Sequence, residues 1–346
     1  MTPRWSPQRI ATRAGLLLLT GVSLYLLLPS LVAVFSSWRD LFELDPLWFG
    51  AAVGFEALSL LSVWALLRIA LRAPSWFAVG TSQLASSAFG RIVPGGMAAA
   101  GAIQYRMLVG AGVPPGRVGS ALAATSGLTF AALLALPLLA VPAIVAGTPV
   151  EHRLLHALWL GGIVFVLMLV SGSGALAFDK PLELVGDAVD WFLRLVRRPR
   201  SGPPLAQLLL HERDQIRATL GQRWKMAVTA SVGKSLFDYL ALVATLYAVD
   251  ATPDPPLVLL AYVTGSLLAM VPLTPGGLGF VEAGLTGTLV LAGVDAGQAA
   301  AATLAYRLVS FWLPLPAGGV AYWLFRRRVQ ATPALAPPAA PPPPPA

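Results

Sequence analysis

The side chains in this sequence that could do chemistry are charged residues placed inside long apolar runs. They are Glu56, Arg91, Arg106, Lys234, Asp238, Glu282 and Arg307, with Tyr306 beside the last arginine. Arginine binds phosphate oxygens through paired N–H donors, and a carboxylate can pair with an arginine or carry a proton. Intramembrane charges are costly and usually face a protein interior or a cavity. The set therefore predicts a polar site that suits a phosphate-bearing headgroup.

Some of these charges could instead pair with one another for purely structural reasons. Lys234 and Asp238 are one helical turn apart and can form a local ion pair. Glu56 could pair with an arginine of the next apolar segment. For Glu282 and Arg307, a structural pair and a substrate-binding role both stay open.

The composition indicates a membrane protein. Of the 346 residues, 56% are hydrophobic and only 12% are charged, and the mean hydropathy is +0.72. Soluble domains carry about 25% charged residues, so a disordered chain is excluded and a soluble globule is disfavoured. Cysteine is absent and only three histidines occur, so we expect no disulfide and no metal site. The chain also lacks a GxxxxGK[ST] nucleotide-binding motif, and we expect no cofactor.

Apolar runs of about 20 residues can cross a bilayer, and this chain has about six of them. The predicted spans are 14–35, 47–71, 118–146, 154–178, 226–249 and 298–325. Lys and Arg favour the cytoplasmic side, which predicts that both termini and the loop 179–225 are cytoplasmic in a multi-pass inner-membrane protein. The net charge of +8 then reflects topology, and we expect no nucleic-acid partner.

Two further segments, 74–113 and 256–294, each contain two short apolar stretches around a Pro-Gly-Gly. The tips are Pro94, Gly95 and Gly96 in the first segment and Pro275, Gly276 and Gly277 in the second. Proline ends a helix and paired glycines allow a tight reversal. Arms of about 16–18 residues would be roughly 24–27 Å long, which is marginal for a full span. We predict two re-entrant helical hairpins, the first entering from the cytoplasm and the second from outside; ordinary tight loops between full spans are the alternative.

The chain also contains an internal repeat. Span, hairpin and span over 47–146 match span, hairpin and span over 226–325, in opposite orientation. Inverted repeats with broken helices are typical of transporters. The predicted fold is an all-α polytopic bundle over 1–328 with two inverted re-entrant hairpins, followed by a disordered Pro/Ala-rich tail, 329–346.

The cytoplasmic loop contains one amphipathic stretch, 182–198. Its apolar residues fall on one helical face, and they are Leu184, Val185, Val189, Trp191, Phe192, Leu195 and Val196. Arginines crowd its end. The helix could lie on an anionic leaflet or pack against the bundle, and the sequence leaves both open.

The second Pro-Gly-Gly region and last span resemble the transmembrane region of the lysylphosphatidylglycerol synthase family. The matching positions are Pro272, Thr274, Pro275, Gly276, Gly277, Gly279, Glu282, Gly284, Tyr306, Arg307 and the run Ser310-Phe311-Trp312-Leu313-Pro314. The stretch RIVPGGMAAAGAIQYRML resembles the family's first Pro-Gly-Gly region. The resemblance implies an inner-membrane protein that moves lipids or lipid-linked molecules between leaflets. The chain has no room for the family's aminoacyl-transfer domain, so synthase activity is not expected.

The sequence therefore favours a lipid flippase with a polar groove. Arg307 and Arg106 would hold phosphate, with Arg91, Tyr306 and Glu56 as further substrate-binding residues. Glu282 would pair with an arginine in the empty groove or carry a proton. The expected partner is a membrane lipid with an anionic or phosphate-bearing headgroup, and homo-oligomerisation stays open.

Two other functions remain as alternatives. One is a non-transporting membrane scaffold. The other is an intramembrane lipid-modifying enzyme, which is less favoured because such chemistry needs a positioned histidine, metal or activated serine. We therefore expect no enzymatic activity.

Overall fold

The structure is a computed structural model, and in the part of the chain it describes every regular element is a helix. The described residues are 44–72, 75–93, 96–142, scattered positions between 159 and 174, 178–195, 205–221, 223–252, 254–270 and 275–331. The predicted span 14–35 and most of the span 154–178 lie outside them. The protein is an all-α membrane protein, as predicted.

The first half of the described chain forms a long helix, a helical hairpin and a second long helix. These helices are α1 (Pro46–Leu71), α2 (Trp76–Ile92), α3 (Gly96–Gly110) and α4 (Pro115–Ala135), which continues as a 3-10 turn (Leu136–Ala140). The region between the halves contains α5 (Lys180–Leu195) and α6 (Leu205–Leu220).

The second half repeats that order. Its helices are α7 (Trp224–Ala248), α8 (Pro255–Leu268), α9 (Phe280–Leu291), α10 (Ala296–Arg307) and α11 (Pro314–Ala331). A π-helical turn, Leu308–Trp312, joins α10 to α11, and it precedes Pro314, which has no N–H to continue an α-helical ladder.

Four helical segments of the described chain are long and apolar enough to cross a membrane. They are Pro46–Leu71, Pro115–Ala140, Trp224–Ala248 and Ala296–Arg328. The shortest has 25 residues, or about 37 Å, against a hydrocarbon core of about 30 Å. Each agrees within a few residues with a predicted span, except that the predicted span 118–146 extends beyond the described residues.

The start and end of α1 show how local sequence sets these bounds. Asp45 precedes Pro46, and its Oδ1 accepts hydrogen bonds from the backbone N–H of Leu47 (2.8 Å) and Trp48 (3.4 Å). Such a cap satisfies donors that have no partner within the helix. The helix ends at Arg72, whose φ of 51° is left-handed.

Both predicted helical hairpins form, but the second has shorter arms than predicted. Helices α2 and α3 have 17 and 15 residues, whereas α8 and α9 have 14 and 12. The second of these arms is short because Gly276, Gly277 and Gly279 adopt positive φ values of 61°, 71° and 78°, so that α9 begins only at Phe280. Pro94 and Gly95, in the tip of the first hairpin, lie outside the described residues.

The helices of the two halves pack against each other reciprocally. Helix α1 lies along α7, so the first spans of the two predicted repeats form the most extensive pairing. The first arm of each hairpin packs against the end of the other half's last span: α2 against α11, and α8 against Leu136–Ala140. Gly318 of α11 lets this helix approach Ala88 of α2 closely. Reciprocal contacts of this kind are what an internal repeat predicts.

Helices α5 and α6 form a separate pair. Gly186 of α5 lies against the backbone of Ala206, and Asp190 Oδ2 accepts a hydrogen bond from the N–H of Leu205 at 2.9 Å. Arg213 forms an ion pair with Asp179, and this hydrogen-bonded contact raises the pKa of Arg213. Four apolar side chains of α5 are exposed: Leu184 (70%), Val185 (54%), Val189 (39%) and Trp191 (65%).

The end of the last helix differs from the prediction. Helix α11 continues to Ala331, so the first three residues of the predicted disordered tail are helical. Residues 332–346 lie outside the described part of the chain.

Candidate functional site

A cavity of about 560 Å³ lies between the helices of the two halves. Polar side chains from α1, α2, α3, α4, α7, α8 and α10 line it. Glu56 in α1 and Lys234 in α7 each follow the start of their helix by about 15 Å, near the middle of helices long enough to span. The cavity therefore has a polar lining at the level where an apolar core would be expected.

Asp238 is the centre of one polar cluster in this cavity. Its Oδ2 accepts hydrogen bonds from Lys234 Nζ at 2.8 Å and from the Tyr262 hydroxyl at 3.0 Å. Its Oδ1 accepts one from the Tyr306 hydroxyl at 2.6 Å. The local Lys234–Asp238 pair proposed from the sequence is thus confirmed. Three donors satisfy this buried carboxylate, as burial of a charge requires.

Arg307 anchors a second cluster at the tip of the second hairpin. Its Nε donates to Glu282 Oε1 at 2.7 Å, and its Nη2 donates to the carbonyl oxygen of Gly276 at 3.2 Å. The other carboxylate oxygen, Glu282 Oε2, accepts from the N–H of Gly279 at 2.7 Å. One carboxylate therefore both caps the start of α9 and neutralises Arg307.

Phe311, in the π-helical turn, joins the two hairpins. Arg91 near the end of α2 donates from Nη1 to the Phe311 carbonyl oxygen at 2.7 Å. The guanidinium carbons of Arg91 and Arg307 lie 5.2 Å and 4.3 Å from the centroid of the Phe311 ring, within cation–π range. π-Helical turns are frequent at functional sites, and this one brings together groups from both hairpins.

Two charges in the cavity lack a charged partner. No described carboxylate lies within 4.0 Å of the Arg91 guanidinium, whose polar contact is the Phe311 carbonyl. Glu56 is 8% exposed, and its Oε2 has no hydrogen-bond partner among the described residues. Unsatisfied buried polar groups are rare in folded proteins, which makes these two side chains candidates for a functional role.

The structure brings most of the predicted site residues together. Glu56, Arg91, Tyr306 and Arg307 line the cavity, and Glu282 lies behind Arg307. Arg106 does not join them, because its side chain is exposed on α3 and is not part of the lining.

The hairpin-tip residues contribute backbone. Gly276 supplies a carbonyl oxygen to Arg307. Gly277 is buried, and Pro275 begins the turn that contains both glycines. Gly96 begins α3, where it touches the backbone of Gly90 in α2 and allows the two arms to pack closely.

Sequence reasoning missed several polar residues of the lining. In the first hairpin, Gln104 Nε2 donates to Gln83 Oε1 at 2.6 Å. Gln83, Ser87 and Arg91 recur every four residues and so lie on one face of α2. This polar stripe on an otherwise apolar helix was the feature of the sequence that could have predicted these lining residues. Within the described residues, no three His, Asp or Glu side chains are grouped so that they could hold a metal ion.

Short stretches of the chain are similar in sequence to membrane proteins of two organisms. A UPF0104 membrane protein of Methanothermobacter thermautotrophicus is 43% identical over 60 residues, which is 17% of this chain and 18% of that protein. A second match to a protein of the same description and organism is 31% identical over 91 residues, 26% of each chain. UPF0104 membrane protein MJ1078 of Methanocaldococcus jannaschii is 37% identical over 68 residues, 20% of this chain and 29% of that protein.

These alignments span less than a third of the relatives' lengths, whereas the family comparison covers most of the chain. The profile of the family described as lysylphosphatidylglycerol synthase TM region matches residues 14–318. The match includes both hairpins, α1, α7 and the cavity between them. The chain therefore belongs to the lysylphosphatidylglycerol synthase TM region family and is a multi-pass membrane protein.

Proposed function

We propose that this protein moves a phospholipid or lipid-linked molecule between leaflets, with the phosphate of the headgroup passing through the cavity. The observation that carries the proposal is Arg91, a cavity-lining guanidinium without a described carboxylate partner. A guanidinium can bind two phosphate oxygens at once. A cavity of about 560 Å³ is also within the usual range for sites that bind small molecules.

Arg307 supports a gated mechanism. In the conformation described, Glu282 holds it at the hairpin tip. A phosphate that entered from Arg91 would compete with Glu282 for the Arg307 donors. Because Glu282 also caps α9, loss of this ion pair would loosen the tip of the second hairpin. Headgroup binding would in this way favour a change in which side of the cavity is open.

The residues that line the cavity disfavour the two alternative functions, a membrane scaffold and a lipid-modifying enzyme. A scaffold gains nothing from a buried cation without a carboxylate partner and a buried carboxylate oxygen without a donor, because such groups destabilise the fold. Enzymatic cleavage of a lipid phosphate would need a nucleophile beside a base, and the described lining contains no histidine. We propose a transporter of the cell inner membrane with cytoplasmic termini and without enzymatic activity.

Translocation in proteoliposomes tests the proposal. The purified chain is reconstituted with headgroup-labelled phospholipids, and movement between leaflets is followed by accessibility to an impermeant quencher. We expect translocation by the wild type, and at least a tenfold loss in Arg91→Ala and Arg307→Ala, since each removes a charge-assisted contact of about 1.5–3 kcal/mol.

Arg117→Ala is the matched control, because Arg117 is an exposed arginine of α4 outside the lining. It should translocate like the wild type. Absence of wild-type translocation with anionic, zwitterionic and lipid-linked substrates would overturn the proposal. Loss of translocation in Arg106→Ala, with the fold intact, would move the site toward α3.

A further inference from the structure

Glu56 is a buried carboxylate with one oxygen that accepts no hydrogen bond from the described residues. Its side chain lines the cavity and is 8% exposed, and Oε2 has no hydrogen-bond partner among the described residues. Asp238 lies in the same cavity with three donors. The two buried carboxylates therefore differ: Asp238 is held as an anion, whereas Glu56 lacks the donors that would hold it so.

The groups that face Glu56 come from four helices. They are Lys234 and Asp238 of α7, Arg91 of α2, Tyr262 of α8 and Tyr306 of α10. Helix α4 contributes only threonine and serine among its polar lining residues. Lys234 and both tyrosines are already committed to Asp238, and Arg91 to the Phe311 carbonyl. Because no described donor hydrogen-bonds to Glu56 Oε2, a proton can bind to this oxygen without displacing a hydrogen bond.

The formal charges of three cations and three carboxylates around the cavity balance when all six groups are ionised. The cations Arg91, Lys234 and Arg307 match the carboxylates of Glu56 and Asp238 in the lining and of Glu282 behind it. A phosphate monoanion would then leave this largely buried cluster with an excess negative charge, which is costly away from bulk water. Uptake of a proton by the site would restore neutrality.

We propose that Glu56 takes up a proton when a phosphate-bearing headgroup enters the cavity, so that headgroup movement is coupled to proton movement. This inference rests on the proposed function. The headgroup phosphate at Arg91 favours the protonated carboxyl, and by thermodynamic linkage the protonated carboxyl favours the phosphate. On release to the other side, water reaches Glu56 and the proton leaves with the headgroup. A metal cation fits less well, since Lys234 and Arg91 face the carboxylate and no metal-binding group occurs among the described residues.

Calorimetry on the purified full-length chain tests the proton step. A short-chain phosphatidylglycerol, whose headgroup carries a phosphate monoanion, is titrated in two buffers of different ionisation enthalpy. The wild type should take up about one proton per lipid bound, by the linkage argument. Glu56→Gln, which mimics the neutral carboxyl, should bind the lipid with no proton uptake. Glu183→Gln, which removes an exposed carboxylate of α5, should behave like the wild type.

A spectroscopic measurement keeps the test valid if Glu56→Gln folds poorly. In the infrared difference spectrum of the wild type, lipid binding should raise a carboxylic-acid C=O band and lower a carboxylate band. A wild-type spectrum in which lipid binding raises no acid band would overturn the proton step.

The outcomes separate the two proposals. Lipid binding by the wild type without proton uptake, or with proton uptake that persists in Glu56→Gln, overturns the role of Glu56 and leaves the transport proposal standing. If the wild type neither binds nor translocates any lipid, the transport proposal fails and the proton step fails with it.

Discussion

At the scale of single residues, the carboxylates in and beside the cavity differ in how many hydrogen-bond donors hold them. Asp238 accepts hydrogen bonds from Lys234, Tyr262 and Tyr306, and Glu282 is shared between Arg307 and the start of α9. Both are anchored by several donors. Glu56 is as buried as Asp238 but keeps an unpaired oxygen. The number of donors, more than burial, therefore distinguishes these side chains.

Tyr306→Phe should destabilise the protein without removing a charge. The change deletes the 2.6 Å hydrogen bond to Asp238 Oδ1 and leaves that carboxylate oxygen unsatisfied. A hydrogen bond to a charged group contributes about 1.5–3 kcal/mol, so the apparent Tm in detergent should fall. Tyr322→Phe is the control, because Tyr322 is 36% exposed on α11, and it should change stability by less than about 0.5 kcal/mol. Equal Tm values for the two variants would contradict the role of the cluster.

At the scale of elements, the tip of the second hairpin depends on glycine. Gly276 has a φ of 61°, and a Cβ there would lie 2.6 Å from Cζ of Phe311 and 2.9 Å from the carbonyl oxygen of Arg91. Residues with a side chain rarely adopt this backbone conformation. The hairpin tip can therefore touch both α2 and the π-helical turn only because residue 276 lacks a side chain.

Gly276→Ala should separate the two hairpins. Backbone strain and the clash with Phe311 together should cost about 1–3 kcal/mol, and translocation should fall because Arg307 loses the Gly276 carbonyl. Gly287→Ala is the matched control in the same hairpin, since nothing lies within 4 Å of the new Cβ in α9. Alanine favours a helix over glycine by about 1 kcal/mol, so this variant should be as stable as the wild type or more so. A Gly276→Ala protein with unchanged Tm and translocation would refute the contact.

Helix α5 should lie on the membrane surface with Leu184 toward the lipid. Four of its apolar side chains are exposed although α5 packs against α6, which favours the leaflet over the bundle as their neighbour. The chain has no cysteine, so nitroxide labels can be attached at Leu184→Cys and, on the polar face, at Glu183→Cys. In vesicles with anionic lipids, oxygen should relax the label at 184 more strongly, and a water-soluble nickel chelate the label at 183. Equal exposure of both labels to the chelate would show that α5 stands away from the lipid.

At the scale of the whole molecule, the cavity exists because two similar halves pack face to face. Helices α1 and α7 form the central pair, and each half's hairpin reaches the end of the other half's last span. Arg91 from the first hairpin and Gly276 from the second meet at Phe311. A movement of one half against the other would therefore act directly on the contacts that close the cavity.

The predicted topology can be tested with single cysteines on either side of α7. Gly221→Cys lies between α6 and α7, and Thr252→Cys lies between α7 and α8, and both positions are exposed. In intact spheroplasts, an impermeant maleimide should label Thr252→Cys, whereas Gly221→Cys should require permeabilisation. The reverse pattern would invert the predicted orientation, and labelling of both sites from outside would contradict a membrane-spanning α7.

The sequence by itself determined the long helices and their local contacts. Length and hydropathy belong to contiguous residues, so the spans 47–71 and 226–249 closely match α1 and α7. The Lys234–Asp238 pair follows from helical spacing alone. The glycines at the second tip also predicted that the chain reverses direction there. The number of residues in that turn, and so the length of the arm that follows it, was not evident from the sequence.

Only the tertiary structure decided which charges share a cavity. The Arg91–Phe311 contact joins positions 220 residues apart, and two arginines of the same hairpin, Arg91 and Arg106, face the cavity and the exterior respectively. Outside the polar stripe of α2, the side of these helices that faces lipid is as apolar as the side that faces protein, so periodicity could not assign the other faces. Helix packing assigned them, because it is the contact between the two halves that encloses the polar residues of each.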